Sequence, residues 1–241
     1  MIEHQVDQGS ASWFALRAKI PTASEFHRVM TPARRKPAEA RWKYAIEIIA
    51  ARLLNWQKES LDNIEHIEAG KASEPLAVAQ LEFSTGIKTR PVGFLTTDDG
   101  RFGASPDRLT VPTGLGTIEI KCPTVPTHLG YLYYGHDDAY RCQVQGQLLV
   151  AEADKATFYS YHERMPPYMS ESGRDTIFMT DLFASLEQFS DELLGMEERA
   201  RTLGLFQKYD EISPPIDLVA DAVASKADAD AELEAWLDIA R

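Results

Sequence analysis

Residues 105–123 read Ser105-Pro106-Asp107-Arg108-Leu109-Thr110-Val111-Pro112-Thr113-Gly114-Leu115-Gly116-Thr117-Ile118-Glu119-Ile120-Lys121-Cys122-Pro123. From Thr117 to Lys121 polar and β-branched residues alternate, which predicts a strand. Its period of two puts Glu119 and Lys121 on one face and Ile118 and Ile120 on the other. Pro106 cannot donate to a ladder and suits a strand edge or bulge. Val111 to Gly116 carries the Pro and Gly signals of a hairpin or bulged turn, so the chain returns beside Asp107. That return brings Asp107 and Glu119 together.

Two neighbouring carboxylates repel unless a cation neutralises them, and hard oxygen donors with no adjacent Cys or His pair suit magnesium or manganese. A lysine two residues from a ligand can orient an attacking water or stabilise charge growing on a phosphate. The constellation points to metal-assisted phosphodiester hydrolysis. Alternating acid, apolar and basic residues also occur on ordinary solvated strand faces, and this stretch alone leaves both readings standing.

A chain of 241 residues has room for one substantial core. No apolar run approaches a membrane span, and Met1-Ile2-Glu3-His4 is unlike a secretory signal, which points to the cytoplasm. Two cysteines, Cys122 and Cys142, are too few for a disulfide framework or a four-thiolate site. The net charge of -12 argues against indiscriminate nucleic-acid binding. Its distribution is uneven. From Arg17 to Lys43 eight bases, including Arg34 and Arg35, face only Glu25 and Glu39. Beyond Pro215, seven acids face only Lys226 and Arg241. Such asymmetry steers DNA toward one surface, unless both stretches are simply solvated helix faces.

Thr22 and Glu25 form a capping box, which predicts a helix to about Met30, and its free amides with Ser24 and Arg17 offer a phosphate site. An ordinary capped helix with a surface arginine is the bland alternative. Glu39 to Trp56 predicts a long helix with a core stripe of Trp42, Ile46, Ile49 and Leu53. Glu65 to Phe83 predicts another, with Leu76, Ala79 and Phe83 on one side and Gly86 as its stop; Pro75 sits awkwardly after Glu74. Strands are expected at Val92–Thr97 and Arg101–Ala104. Helices are expected at Thr127–Tyr134 and Asp138–Ala151, where one of Gln143, Gln145 and Gln147 could face the site. Lys155–Tyr161 and Thr176–Thr180 read as strands, and Asp181 to about Leu203 as a long helix. The order predicts an α/β protein with a mixed sheet flanked by helices. Residues 1–211 form the main domain and 212–241 an acidic helical extension, with Leu233, Trp236 and Leu237 at helical spacing. The six histidines have no metal-site spacing.

Taken in order, Gln8-Gly9, Trp13, Leu16-Arg17, Thr22-Ala23-Ser24-Glu25, Gly70-Lys71 with Glu74, Glu82 to Gly86, Ser105-Pro106-Asp107, Glu119 to Pro123 and Gln143-Val144-Gln145 resemble the lambda-type phage exonuclease family. That family lies within the superfamily of nucleases with the PD-(D/E)xK signature and a restriction-endonuclease-like core. The match runs from Gln8 to about Phe206.

The resemblance implies a magnesium-dependent exonuclease, with manganese able to substitute. It would degrade one strand of linear double-stranded DNA from its 5′ end and leave 3′ single-stranded tails. It also implies a homotrimer, a single-strand annealing partner and a phage or prophage protein in a bacterial host. By position, Asp107, Glu119, Glu74 and the backbone carbonyl of Ile120 correspond to metal ligands. Lys121 corresponds to the catalytic lysine, Gln145 to a site-facing glutamine, and Arg17, Ser24 and Ser105 to the group that holds a 5′ phosphate. An endonuclease of the same superfamily and a non-catalytic DNA-binding protein are the competing readings.

Overall fold

The computed structural model describes residues 1–56, 64–136 and 138–205. Strand β1 (Ile2–His4) leads into α1 (Ala11–Lys19), a 3-10 helix (Ala23–Arg28) and a small hairpin of β2 (Met30–Thr31) and β3 (Lys36–Pro37). Helices α2 (Arg41–Leu54) and α3 (Ile64–Thr85) follow. The strands β4 (Lys88–Pro91), β5 (Phe94–Thr96), β6 (Gly103–Ala104), β7 (Arg108–Val111) and β8 (Gly116–Lys121) come next. The order closes with α4 (Val125–Tyr134), a 3-10 turn (Asp138–Tyr140), α5 (Arg141–Val150), β9 (Lys155–Ser160), β10 (Tyr168–Gly173) and α6 (Thr176–Thr202).

Five strands form the main sheet in the order β10-β9-β8-β7-β4. Only the β8–β9 pair is parallel; the others are antiparallel, so the sheet is mixed as expected. A parallel pair needs a crossover, and α4 and α5 supply it between β8 and β9. Strand parity then sorts the two faces. Ile118 and Ile120 of β8 pack with Tyr159 of β9 against Ala77 and Leu81 of α3. Glu119 lies on the opposite face, beneath α5. That helix is pressed close to the 3-10 helix at Gly146, where a Cβ would come within 2.5 Å of the Phe26 ring. Burying aromatics such as Phe26 and Phe189 contributes roughly 1.5–3 kcal/mol each. No described helix is long and apolar enough to cross a membrane.

Several sequence expectations need correction. Thr22 makes no side-chain cap. Its own amide is taken by the Tyr44 hydroxyl, and Glu25 turns instead to Arg28 at 3.2 Å, so the segment settles as a 3-10 helix. On α2, Trp42 and Ile46 are exposed, Trp42 by 71%. Ile49 and Leu53 are buried as expected, and the rest of the stripe runs through Tyr44, Ala45 and Ile48, because Tyr44 stacks on Phe189 of α6 and anchors the helix on that side. On α3, Phe83 is 92% exposed, whereas Ala77 and Leu81 meet the sheet. Pro75 lies inside α3, and Gly86 ends it at a φ of +73°. Thr176–Thr180 is no strand but the first turns of α6, opened by the Asp175 carboxylate accepting from the Phe178 amide at 3.1 Å. The strand is upstream, at Tyr168–Gly173, and pairs along its length with β9. Residues 206–211 of the expected main domain and the extension 212–241 lie outside the described residues.

Candidate active site

β7 and β8 pair with Arg108 opposite Ile118 and Leu109 opposite Thr117. One step further along this register sets Asp107 opposite Glu119. The Asp107 Oδ2 accepts a 2.6 Å hydrogen bond from the backbone N–H of Ile120, so the carboxylate is locked onto the neighbouring strand.

Glu119 is buried, 4% exposed, and fully partnered. Its Oε1 accepts from Lys121 Nζ and, at 2.7 Å, from Gln143 Nε2. Its Oε2 accepts from Gln147 Nε2 at 2.6 Å. Gln143 and Gln147 lie one turn apart on α5 and therefore share a face. Lys121 and Glu119 reach the same side of β8, as the period of two requires.

The electrostatics of this cluster are unbalanced. Burial, together with the negative charge of Glu119 and a smaller push from Glu74, raises the Asp107 carboxyl to about 8, although Lys121 and the Ile120 amide oppose the rise. Burial pulls the Lys121 ammonium down, but Glu119 and Asp107 outweigh it and leave Lys121 raised and charged. Burial also raises the Cys122 thiol to about 11, with Glu74 and Asp107 adding to it, so that thiol stays protonated and is no nucleophile at neutral pH. Three acids thus act on the site against one ammonium. Among the described residues no three acid, His or Cys side chains converge closely enough to make a preformed metal centre. The close pair is Asp107 and Glu119, with Glu74 of α3 half-buried beyond it. Beside the pair, Gln147 Oε1 is buried without a hydrogen-bond partner.

Gln145 is not among these contacts. Its Nε2 donates to the Gly173 carbonyl at 2.9 Å and its Oε1 accepts from the Asp175 amide at 2.8 Å. It ties α5 to the junction of β10 and α6. The residues that hold Glu119 are its neighbours on either side. The i, i+4 spacing of Gln143 and Gln147 is the sequence signal that distinguishes them, since a residue two positions away points to the far side of the helix.

The N-terminal group is partly assembled. Arg17 Nη2 donates to Ser24 Oγ at 2.8 Å. The Arg17 guanidinium lies over the Trp13 ring, 4.2 Å from its centroid. Trp13 Nε1 in turn donates to Ser105 Oγ at 2.9 Å, and Ser105 donates to the Gly93 carbonyl. Ser105 therefore joins Arg17 only through Trp13, a residue whose part was not visible from sequence. Burial lowers the Arg17 guanidinium, with Glu25 and Glu119 acting on it in the opposite sense. Beside Arg17 opens a cavity of about 420 Å³ lined also by Phe14, Glu25, Arg28, Tyr44 and Trp56. In the basic loop, Arg34 is exposed, while Arg35 is drawn into a 3.0 Å ion pair with Asp181.

Against known proteins, the YqaJ-like viral recombinase domain matches residues 12–154, a span that includes Arg17, Asp107, Glu119 and Lys121. Comparison with curated proteins finds no match. Among solved structures, the chain is similar to the alkaline exonuclease LHK-Exo of Laribacter hongkongensis. The identity is 29% and the TM-score 0.72, over 81% of this chain and 98% of that one. The same enzyme in complex with dAMP matches at 30% identity over the same shares. A phage-related exonuclease from Haemophilus somnus 129PT shares the fold at 14% identity and a TM-score of 0.54, over 73% of this chain and 96% of that one.

Proposed function

The chain belongs to the YqaJ-like viral recombinase family, the lambda-exonuclease type, and on that premise we propose that it is a metal-dependent 5′-to-3′ exonuclease acting on linear double-stranded DNA. One observation carries the reading: Asp107 and Glu119 are held opposite each other across a hairpin with Lys121 bonded to Glu119 on the same face.

The donor set fits a hard divalent cation. It offers carboxylate and carbonyl oxygens, and the Asp107 carboxyl is raised first by burial and then by the charge of Glu119, both of which a bound cation would offset. Asp107, Glu119, the carbonyl of Ile120 and Glu74 are the residues that would hold magnesium, with manganese as a substitute. When bound, such an ion supplies Lewis acidity at the phosphate and lowers the pKa of an attacking water.

The chain's own groups do the positioning. The Ile120 amide fixes the Asp107 carboxylate, and Gln143 and Gln147 fix that of Glu119. The Lys121 ammonium, charged throughout the neutral range, orients the water and meets the charge that develops on the phosphate. Water forms the new bond to phosphorus, the bond to the 3′ oxygen breaks, and that oxygen leaves with a proton. The product is a nucleoside 5′-monophosphate, the class to which the dAMP bound by LHK-Exo belongs.

Arg17, Ser24 and Ser105, with Trp13 as the shelf beneath the guanidinium, form the site for a 5′-terminal phosphate, and Arg34 and Arg35 contact the duplex backbone. Digestion leaves 3′ single-stranded tails for a single-strand annealing partner, and a homotrimer encloses the duplex. Strand-specific labels test the polarity. On a linear duplex with magnesium, a 5′ label should appear at once as mononucleotide while a 3′ label stays on a shortening strand. Early release of the 3′ label would overturn the direction.

A further inference from the structure

A second cavity, of about 520 Å³, lies between the start of α2 and the C-terminal half of α6, away from the carboxylate pair. Ala38, Arg41, Trp42, Ala45, Met196 and Arg199 line it. Arg41 is 7% exposed, with its Nε donating to Glu192 Oε2 at 2.7 Å and the Phe189 ring 5.4 Å from its guanidinium carbon. Both of its Nη atoms are buried and have no hydrogen-bond partner. Donors of a buried cation left unmatched are costly, and an anion entering the cavity would match them.

Two further features point to the same charge. The first turn of α2 contains no acidic residue; the Arg41 amide is taken by the Ala38 carbonyl at 3.1 Å, and Ala40 at the N-cap has no side chain able to take up those of Trp42 and Lys43. An uncapped helix start attracts negative charge through those amides and the helix dipole. Arg199, exposed on the last turns of α6, adds a second cation. Two acids also line the cavity, Glu39 and Glu192. Glu192 is already held by Arg41 and by Gln188 Nε2 at 3.2 Å.

The walls decide what kind of anion fits. Ala38, Trp42, Ala45 and Met196 are apolar, and Trp42 stands 71% exposed among them. A DNA backbone would bring a continuous row of phosphates past Glu39 with nothing apolar to cover Trp42. An acidic amphipathic peptide offers both a carboxylate and an apolar face. The chain itself carries one. Beyond Pro215 come Asp217, Asp221, Asp228, Asp230, Glu232, Glu234 and Asp238, with Leu233, Trp236 and Leu237 at helical spacing. This segment is tethered to the helix that bears Arg199, so it meets the cavity at an effective concentration of up to about millimolar.

We propose that the cavity between α2 and α6 is a carboxylate-binding site and that the chain's own acidic segment after Pro215 occupies it. The tail's carboxylates pair with Arg41, Arg199 and the first-turn amides of α2, and its apolar residues cover Trp42.

The full chain labelled with 5-fluorotryptophan tests this, because its four tryptophans give separable fluorine resonances and Trp42→Phe and Trp236→Phe assign the two that matter. Converting Asp228, Asp230, Glu232 and Glu234 to amides should shift the Trp42 resonance. Arg199→Gln, a surface change that leaves the buried Arg41 in place, should shift that of Trp236. Both shifts should persist on dilution and shrink at about 1 M salt, where the Debye length is about 3 Å. A Trp42 resonance that ignores the tail overturns the proposal. So does a shift that fades on dilution, which would assign the cavity to a second copy, or a Trp42 resonance that answers duplex DNA instead of the tail.

Discussion

The Asp107 carboxylate is fastened to the Ile120 amide at 2.6 Å, so β7 presents its acid against the backbone of the strand that carries Glu119 and Lys121. The geometry of the site is therefore set by a strand pairing, and side-chain changes within it should alter chemistry more than fold.

Asp107→Asn and Glu119→Gln should each lower magnesium-dependent cleavage by on the order of a thousandfold, with the circular dichroism spectrum retained. Titrating magnesium against activity checks this. Full cleavage by either variant would remove the carboxylates from the chemistry.

Without metal, the same carboxylate should make stability depend on pH. Burial and Glu119 raise the folded-state pKa of Asp107 to about 8, above its unfolded value of about 3.9. The folded state then binds the proton more tightly, so stability is full below about pH 4 and declines as pH rises toward about 8. Asp107→Asn cannot ionise and should be more stable than wild type at pH 8.5 in chelator, by more than about 1.4 kcal/mol, the equivalent of one pKa unit. Urea unfolding at both ends of the window measures the difference.

Lys121→Ala should reduce turnover far more than DNA affinity, the pattern of a contact made mainly in the transition state. Single-turnover rates set beside binding isotherms separate the two. Equal losses would mark Lys121 as a plain phosphate contact.

The glutamines of α5 divide by role. Gln143→Ala should slow cleavage with little change in stability. Gln145→Ala leaves the Gly173 carbonyl and the Asp175 amide without their partner, and should cost about 1–3 kcal/mol of stability with a smaller effect on rate. Paired denaturation and rate measurements on the two variants would expose an exchange of these roles.

The hairpin was legible because its signals are local: alternation along Thr117–Lys121, and Pro and Gly between the arms. Helices α2 to α5 and the bulk of α6 were legible as helices, whereas α1 was not read as one, and half of the buried stripe of α2 and all of that of α3 were misjudged. Trp42 and Phe83 are large and apolar, and periodicity counts them as core. Tyr44 is buried instead because its hydroxyl meets the Thr22 amide and its ring meets Phe189, contacts across long sequence separations. Gln145 failed for a related reason. Its partners, Gly173 and Asp175, lie in a strand and a cap just upstream of Thr176–Thr180, the stretch whose pattern suggests the strand. Trp13 was visible as one residue of the family pattern but not as the link between Arg17 and Ser105, since its bond to Ser105 spans most of the N-terminal half of the chain.

Arg17→Ala should remove the preference for 5′-phosphorylated ends while leaving the carboxylate pair intact. A charge-assisted contact of this kind contributes roughly 1.5–3 kcal/mol, which corresponds to about a ten- to hundredfold preference. Matched duplexes with 5′-phosphate and 5′-hydroxyl ends, digested by both proteins, measure it. An Arg17→Ala enzyme that keeps the preference would make Arg17 a structural residue held by Trp13 and Ser24.

The Asp107–Glu119–Lys121 site should hydrolyse DNA from its ends. The most direct measurement incubates the full chain and magnesium with one plasmid in two forms, covalently closed and linearised. The linear form should be degraded on one strand and the closed circle should survive untouched. A closed circle that is nicked or cut would make the protein an endonuclease, and a linear duplex left whole would deny it this chemistry.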